Sequence, residues 1–234
     1  MYWILKLCWP FGGKESVDKT FEDIYRYGVW GIDEYGRGVS GYGSEYMFNA
    51  NYILFLKTFI QENNCKNVVD VGCGDWSFSS FLFEDMTNVN YVGYDCVSDI
   101  ILNHKYTYRE KRHLYFEHVN GYNLIKNFAS SPSLPYTTDL LLIKDVLQHW
   151  PTRDIVTFLT KLCEMNSIQY ILITNDSTDD KNVNIKMGEY RPLNWNAPPL
   201  NRFKVYLMYE YKDANRKETY LLDKKKIDYS FFWN

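Results

Sequence analysis

Short apolar runs alternate with amphipathic stretches between residues 67 and 174. Five runs are strand-like: NVVDV (67–71), NYVGYD (90–95), LYFEHV (114–119), TDLLLIK (138–144) and QYILIT (169–174). Helical patterns separate them over 77–86, 96–110, 122–129 and 152–166. Strands that are apolar throughout and alternate with helices predict a parallel sheet covered on both faces.

The pattern changes at both ends of this region. Apolar spacing predicts helices over 15–27 and 46–63, with a segment between them that contains six glycines. Residues 202–211 and 218–227 flank a turn and predict a closing β-hairpin. We therefore expect an α/β, Rossmann-like, seven-stranded, mostly parallel sheet with a C-terminal antiparallel hairpin. Residues 1–64 would form an N-terminal helical cap and lid segment on a core of residues 65–234, within one structural domain.

Composition narrows the classes of protein. The chain has 234 residues and a net charge of −3, which argues against a broad basic surface for nucleic acid. Its five cysteines form no C-x-x-C pair and are odd in number, which favours a reduced, cytoplasmic protein. The opening MYWILKLCWPF is too short to span a membrane, and we expect it to pack on the domain. The sequence makes no prediction about the oligomeric state.

The first strand runs into a glycine-containing turn, Asp70-Val-Gly72-Cys-Gly74-Asp75. Two glycines let the backbone turn sharply and approach a ligand closely. A dinucleotide loop would have a third glycine where Ser77 stands, and Asp75 puts a carboxylate where a pyrophosphate would lie. The loop therefore suits a small cationic or zwitterionic ligand better than a dinucleotide.

The second strand ends at Asp95, 21 residues after Gly74. An acidic side chain at this distance meets ribose hydroxyls in folds of this kind. The alternative is that Asp95 caps the helix that follows it.

These segments resemble the class I S-adenosylmethionine-dependent methyltransferases. VVDVGCGD is similar to their first motif, YVGYD to their second, and DLLLIKDVLQHWP (139–151) to their fourth-strand motif. The resemblance covers about residues 65–175 and implies S-adenosylmethionine as cofactor and S-adenosylhomocysteine as product. It implies the following binding residues: Asp70, Gly72, Cys73, Gly74, Asp75, Trp76, Asp95, Cys96, Asn120, Gly121, Tyr122, Asp145 and Val146. Trp76 departs from the small residue common there, and we expect its aromatic edge to shape the methionine end of the pocket.

The segment SGYGS (40–44) lies upstream of the first strand. Segments in this position commonly fold over the cofactor in the family that the motifs resemble. Trp30, Ser40 and Ser44 are therefore further candidates for the cofactor site. A flexible surface loop is the alternative.

The fourth strand is followed by two candidate catalytic residues, Asp145 and His149. They are four residues apart and would share one face if this segment is helical. If the methyl acceptor is a hydroxyl, a positioned base accelerates the transfer. We expect His149 to be that base and Asp145 to line the methyl end of the cofactor. A hydrogen-bonded helix residue is the alternative for His149.

A magnesium site is an alternative that the sequence leaves open without favouring it. Asn175 and Asp176 end the fifth strand beside the expected position of Asp145. Oxygen ligands of this kind suit a hard divalent ion, which would orient and acidify a hydroxyl pair. Asn-Asp before Ser-Thr is also an ordinary turn.

The proline-containing loop 188–200 offers a substrate wall. Arg191 could hold an anion bidentately and Trp195 could cover an acceptor, although Arg191 could equally pair with a surface carboxylate.

The leading prediction is O-methylation of a hydroxyl on a small molecule or a glycan intermediate. A nicotinamide-dependent oxidoreductase and a catalytically silent S-adenosylhomocysteine-binding module are the alternatives. No D-P-P-Y motif for base methylation occurs, and Lys144-Asp145 lacks an evident partner Lys and Glu of the cap-ribose type.

Overall fold

The computed structural model describes residues 17–119, 137–212 and 215–227, and side chains as far as residue 224. Five α-helices are present in these ranges: α1 (Val17–Arg26), α2 (Tyr46–Glu62), α3 (Ser80–Phe83), α4 (Ser98–Thr107) and α5 (Thr152–Glu164). The strands are β1 (Asn67–Val71), β2 (Asn90–Asp95), β3 (Leu114–His118), β4 (Thr138–Lys144), β5 (Ile168–Asp176), β6 (Phe203–Lys212) and β7 (Arg216–Ile227). Short 3-10 helices cover Tyr42–Ser44, Leu147–His149 and Leu200–Arg202.

The seven strands form one sheet in the order β3-β2-β1-β4-β5-β7-β6. The first five strands along the chain are parallel, and β7 lies antiparallel between β5 and β6. The expected fold class is therefore confirmed, including the closing hairpin. After β3 the chain returns to the other side of β1, so the strand order reverses between β1 and β4. In open α/β sheets, ligands bind at the carboxyl ends of the strands at such a reversal.

Apolar side chains fill both faces of the sheet. Val69 and Leu141 belong to the core cluster that α1 and α5 cover, and Val68 and Leu140 to the cluster that α2, α3 and α4 cover. Because both faces are buried, consecutive apolar residues occur in the middle of β1 (Val68 and Val69) and of β4 (Leu140 to Ile143). The two N-terminal helices thus pack on opposite faces. The division of the chain at residue 64 stays a prediction.

The helix expected over 77–86 is much shorter than predicted, since only Ser80–Phe83 is α-helical. Ser77 donates from its backbone nitrogen (3.1 Å) and its hydroxyl (2.6 Å) to Asp75 Oδ1. Such local side-chain bonds compete with helix formation and favour turns. The helix expected over 122–129 lies outside the described residues. No helix among those the structure describes has the length and apolar character needed to cross a membrane.

Candidate active site

A cleft of about 300 Å³ opens at the carboxyl edge of the sheet, above the ends of β1, β2 and β4. The structure brings thirteen of the sequence-predicted residues to its wall. They are Trp30, Ser40, Ser44, Gly72, Cys73, Gly74, Asp75, Asp95, Cys96, Asp145, Val146, His149 and Asp176. Their individual roles stay predictions.

The two glycines after β1 shape the floor of this cleft. Both have positive φ angles, +74° at Gly72 and +55° at Gly74. A Cβ on Gly72 would lie 2.5 Å from a methyl carbon of Val146, and one on Gly74 would lie 2.3 Å from Ser40 Oγ. Backbone conformation and close approach therefore both require glycine at these positions.

Asp95 joins the end of β2 to the glycine loop. Its Oδ2 accepts a hydrogen bond from Gly74 N (2.9 Å), and its Oδ1 accepts one from Val97 N at the start of α4 (3.0 Å). Burial raises the pKa of this carboxyl above its usual range. Each carboxylate oxygen has a second lone pair, so these bonds leave Asp95 able to accept further donors from a ligand in the cleft.

The N-terminal segment is fastened to the glycine loop by a reciprocal pair of hydrogen bonds. Ser40 N donates to Asp75 Oδ2 (2.7 Å), and Asp75 N donates to Ser40 Oγ (2.8 Å). The hydroxyls of Tyr25 and Ser40 share a third bond of 2.6 Å. These bonds hold the segment before α2 over one end of the cleft. Its opening and closing as a lid stays a prediction.

His149 lies between aromatic rings at the other end of the cleft. Its ring centroid is 4.8 Å from that of Trp30 and 5.9 Å from that of Tyr190. Its Nδ1 is 3.1 Å from the carbonyl oxygen of Glu189. A carbonyl can only accept, so Nδ1 carries the hydrogen and Nε2 of the neutral ring is the unprotonated nitrogen. Burial lowers the pKa of His149, which favours the neutral ring.

Asp145 follows β4 with a φ of +57° and lies between two ammonium groups. Lys144 Nζ donates to its Oδ2 (2.5 Å), and Lys217 Nζ donates to its Oδ1 (2.8 Å). Burial opposes ionisation, but the two lysines outweigh burial and hold the pKa of Asp145 below its ordinary value. Lys217 Nζ also donates to Asp176 Oδ1 at 2.5 Å. Asp145 is therefore an ionised, hydrogen-bonded carboxylate and a poor proton acceptor.

Known structures share this architecture, although no family model and no curated protein matches the sequence. Magnesium protoporphyrin IX methyltransferase (ChlM) from Synechocystis PCC 6803, with bound SAM, is similar with a TM-score of 0.59 and 12% identity over 91% of this chain and 100% of that one. The methyltransferase domain of bacterial CtHen1-C has a TM-score of 0.54 and 12% identity over 75% of this chain and 97% of that one. WbdD has a TM-score of 0.53 and 15% identity over 76% of this chain, which spans only 40% of the WbdD chain.

The chain has the class I methyltransferase fold. The strand order and the reversed hairpin agree with the resemblance carried by the glycine loop and Asp95. TM-scores of 0.53 to 0.59 show the shared fold, and identities of 12 to 15% leave the substrate open.

Two residues predicted to hold the cofactor face away from the cleft of this methyltransferase fold. Asp70 is 3% exposed and accepts a 2.7 Å hydrogen bond from the Tyr91 hydroxyl on the face that α2 covers. Trp76 is 2% exposed and packs edge-on against Phe116 with ring centroids 5.0 Å apart. The predicted direct contact of Asp70 and the predicted aromatic edge of Trp76 at the methionine end are therefore wrong, because both side chains pack into the core.

The predicted substrate wall of Arg191 and Trp195 is also wrong. The Arg191 guanidinium is buried and donates to the carbonyl oxygens of Leu147 (3.2 Å), Gln148 (3.0 Å) and Trp150 (2.8 Å). Trp195 packs against Tyr220 within the core. Arg191 therefore supports the segment that carries His149 instead of facing a substrate.

The geometry does not support the alternative magnesium site. Lys217 bridges Asp145 and Asp176, so an ammonium lies between the two carboxylates that were its proposed ligands. Asn175 is buried, and it does not line the cleft as the structure describes it. Within the described ranges, no three His, Cys, Asp or Glu residues are grouped in a way that could hold a metal ion.

Sequence reasoning missed several residues of the cleft wall, among them Tyr25, Phe78, Gln148, Asn215 and Lys217. Lys217 gives no local signal, since it follows a turn in a basic stretch and reaches Asp145 only because β7 pairs with β5. The register aligns Asp176 with Lys217 and could have been found only from the sheet order. The predicted contacts of Asn120, Gly121 and Tyr122 lie outside the described residues.

Proposed function

We propose that this protein transfers a methyl group from S-adenosylmethionine to a hydroxyl group of a small molecule or a glycan intermediate. The observation that carries this proposal is the single cleft described above. It joins the glycine loop and Asp95 at one end to His149 and the charged groups around Asp145 at the other. A cofactor held by the first set would present its reactive end to the second.

The residues of the cleft fit this cofactor. Gly72 and Gly74 leave backbone exposed where any side chain would close the space, and the Asp95 carboxylate is suited to accept from ribose hydroxyls. The absence of a third glycine at Ser77 and the extra carboxylate of Asp75 disfavour a pyrophosphate. When bound, the cofactor supplies an electrophilic methyl group on a sulfonium.

His149 is the best candidate for the base that receives the hydroxyl proton. It lines the cleft, its Nδ1 is fixed on the Glu189 carbonyl, and its lowered pKa keeps Nε2 unprotonated near neutral pH. Asp145 is unsuited to this role, because two lysines hold it ionised. Its carboxylate contributes polarity beside the expected methyl position.

The acceptor class follows from the polar groups beside His149. The cleft wall there contains two lysines, two aspartates and the Gln148 amide. A hydroxyl group both donates and accepts hydrogen bonds. A neutral hydroxyl compound can therefore accept from the lysine ammonium groups and donate to the aspartate carboxylates. The net charge of −3 agrees with a partner other than nucleic acid, and the cysteine pattern supports a cytoplasmic location.

A transfer assay tests the proposal. The protein would be incubated with S-adenosylmethionine labelled in the methyl group and with matched acceptors, such as a sugar alcohol, a phenol, an amino sugar acetylated on nitrogen and the same amino sugar with a free amine. We expect label in hydroxyl acceptors that depends on His149. Label confined to the free amine would contradict O-methylation, and cofactor binding without label in any acceptor class would favour the silent module.

A further inference from the structure

Lys217 lies between two carboxylates at the acceptor end of the cleft. Its Nζ is 2.8 Å from Asp145 Oδ1 and 2.5 Å from Asp176 Oδ1. The Lys217 and Asp176 side chains are only 3% and 5% exposed, and that of Asp145 is 16% exposed. The three charges therefore interact largely out of water.

The remaining oxygens of both carboxylates also have donors. Asp176 Oδ2 accepts from the Tyr190 hydroxyl (2.6 Å) and the Asn215 amide (2.8 Å). Asp145 Oδ2 accepts from Lys144 Nζ. Both aspartates are thus oriented with one oxygen on Lys217 and the other on an independent donor.

Two buried carboxylates this close cannot both stay ionised without a positive charge between them. The two aspartates raise the pKa of Lys217 although burial acts against them, so this lysine is a permanent cation near neutral pH. Small divalent ions are commonly held by one or two carboxylates together with water and substrate oxygens. Lys217 Nζ therefore has the surroundings in which such an ion would be expected.

We infer that the Lys217 ammonium serves as the fixed internal cation of the acceptor site, in the place and with the electrostatic role of a divalent metal ion. It holds Asp145 and Asp176 ionised and oriented, and it puts positive charge beside the acceptor oxygen, where negative charge develops as the proton leaves. The role of Lys217 beside the acceptor oxygen rests on the proposed function. The replacement of its ammonium group by a metal ion does not depend on that function.

The inference predicts that removal of the ammonium creates a metal site. Lys217→Met keeps the length and apolar stem of the side chain and leaves Asp145 Oδ1 and Asp176 Oδ1 facing a vacated position. We expect this variant to bind Mn²⁺ at least ~10-fold more tightly than the parent protein, which corresponds to about 1.4 kcal/mol. Mn²⁺ binding would be measured by electron paramagnetic resonance of the free ion, and S-adenosylhomocysteine binding by calorimetry on the same samples.

Lys144→Met is the matched control, because it removes one positive charge from the same cluster but leaves Lys217 between the two carboxylates. It should gain no comparable Mn²⁺ affinity. Asp176→Asn in the Lys217→Met background should abolish the gained affinity. Equal Mn²⁺ binding by the parent protein, no gain in Lys217→Met, or an equal gain in Lys144→Met would each overturn the inference.

Two further measurements distinguish a folding defect, or a failure of the proposed function, from a failure of this inference. If Lys217→Met folds only when Mn²⁺ or Mg²⁺ is present, the inference is supported, since the ion then replaces the ammonium. If it stays unfolded in either ion while Lys217→Arg folds, an ion cannot replace the ammonium and the inference is wrong. Failure of the proposed function would appear differently, as a parent protein that folds but binds no S-adenosylhomocysteine.

Discussion

The backbone nitrogen of Gly74 donates a 2.9 Å hydrogen bond to the carboxylate of Asp95. This bond links the loop after β1 to the end of β2, the two segments that the motif resemblance assigns to cofactor binding. His104 contacts the other backbone polar group of the same residue, since its Nε2 is 2.8 Å from the Gly74 carbonyl oxygen. Hydrogen bonds within the protein therefore fix both backbone polar groups of Gly74 in the wall of the cleft.

Asp95→Ala should weaken S-adenosylhomocysteine binding by roughly 10- to 100-fold, because it removes charge-assisted hydrogen bonds of about 1.5–3 kcal/mol. It removes both the proposed acceptor for the ribose hydroxyls and the bond that holds Gly74. Calorimetry would measure the affinity. Asp99→Ala is the control, since Asp99 is an exposed carboxylate in the first turn of α4. Equal affinities for the two variants would remove Asp95 from the binding site.

Gly74→Ala should destabilise the fold more than Gly36→Ala. Both glycines have positive φ, so both substitutions introduce backbone strain of about 1–2 kcal/mol. Only at Gly74 does the new Cβ meet a neighbour, Ser40 Oγ at 2.3 Å, whereas nothing lies within 4 Å at Gly36. Urea unfolding would measure both free energies. If both substitutions lower the free energy of unfolding equally, Ser40 does not lie against Gly74 as it does in the structure.

Asp70→Asn should change stability in a pH-dependent way. Burial raises the pKa of Asp70 from 3.8 to about 6 in the folded protein. Between these pH values the folded chain holds a proton on Asp70 that the unfolded chain has lost. The stabilisation of the folded protein by protonated Asp70 is therefore fully present below pH 4 and is lost as the pH rises through 6. The resulting penalty at higher pH is about 3 kcal/mol, at 1.36 kcal/mol for each pKa unit.

The measurement is the free energy of unfolding of Asp70→Asn minus that of the parent protein, at pH 4 and at pH 8. We expect this difference to favour the variant more at pH 8, because its amide does not ionise. Asp99→Asn is the control, because it makes the same substitution at an exposed carboxylate. A difference for Asp70→Asn that is the same at both pH values would contradict the burial argument.

His149→Ala should lower turnover about 10²-fold, the usual contribution of a positioned base, and leave the affinity for S-adenosylhomocysteine unchanged. Burial lowers the pKa of His149 below its ordinary 6.5. The parent protein should therefore keep full activity from above pH 6.5 and lose it only at lower pH, as the ring becomes protonated. His118→Ala, at an exposed histidine, should retain this profile. Unaltered turnover in His149→Ala would exclude it as the base.

The fold could be predicted from the sequence because strands that are buried on both faces contain consecutive apolar residues. The sequence predicts the bounds of β1, β2 and β4 to the residue, since polar residues bound the runs of β2 and β4, and Asn67 and Gly72 bound that of β1. The site was harder to predict. Asp70 stands in the expected motif, yet its direction depends on strand alternation, which turns it toward α2. Lys217 reaches Asp145 across 72 positions of the chain, through a pairing that only the sheet order reveals.

We propose that the cleft above β1 and β2 binds S-adenosylmethionine and its demethylated product, S-adenosylhomocysteine. Isothermal titration calorimetry of S-adenosylhomocysteine into the folded protein tests it most directly, with NAD titrated in parallel. We expect one bound S-adenosylhomocysteine per chain, competition by S-adenosylmethionine and no heat from NAD. Saturable binding of NAD without any binding of S-adenosylhomocysteine would contradict it.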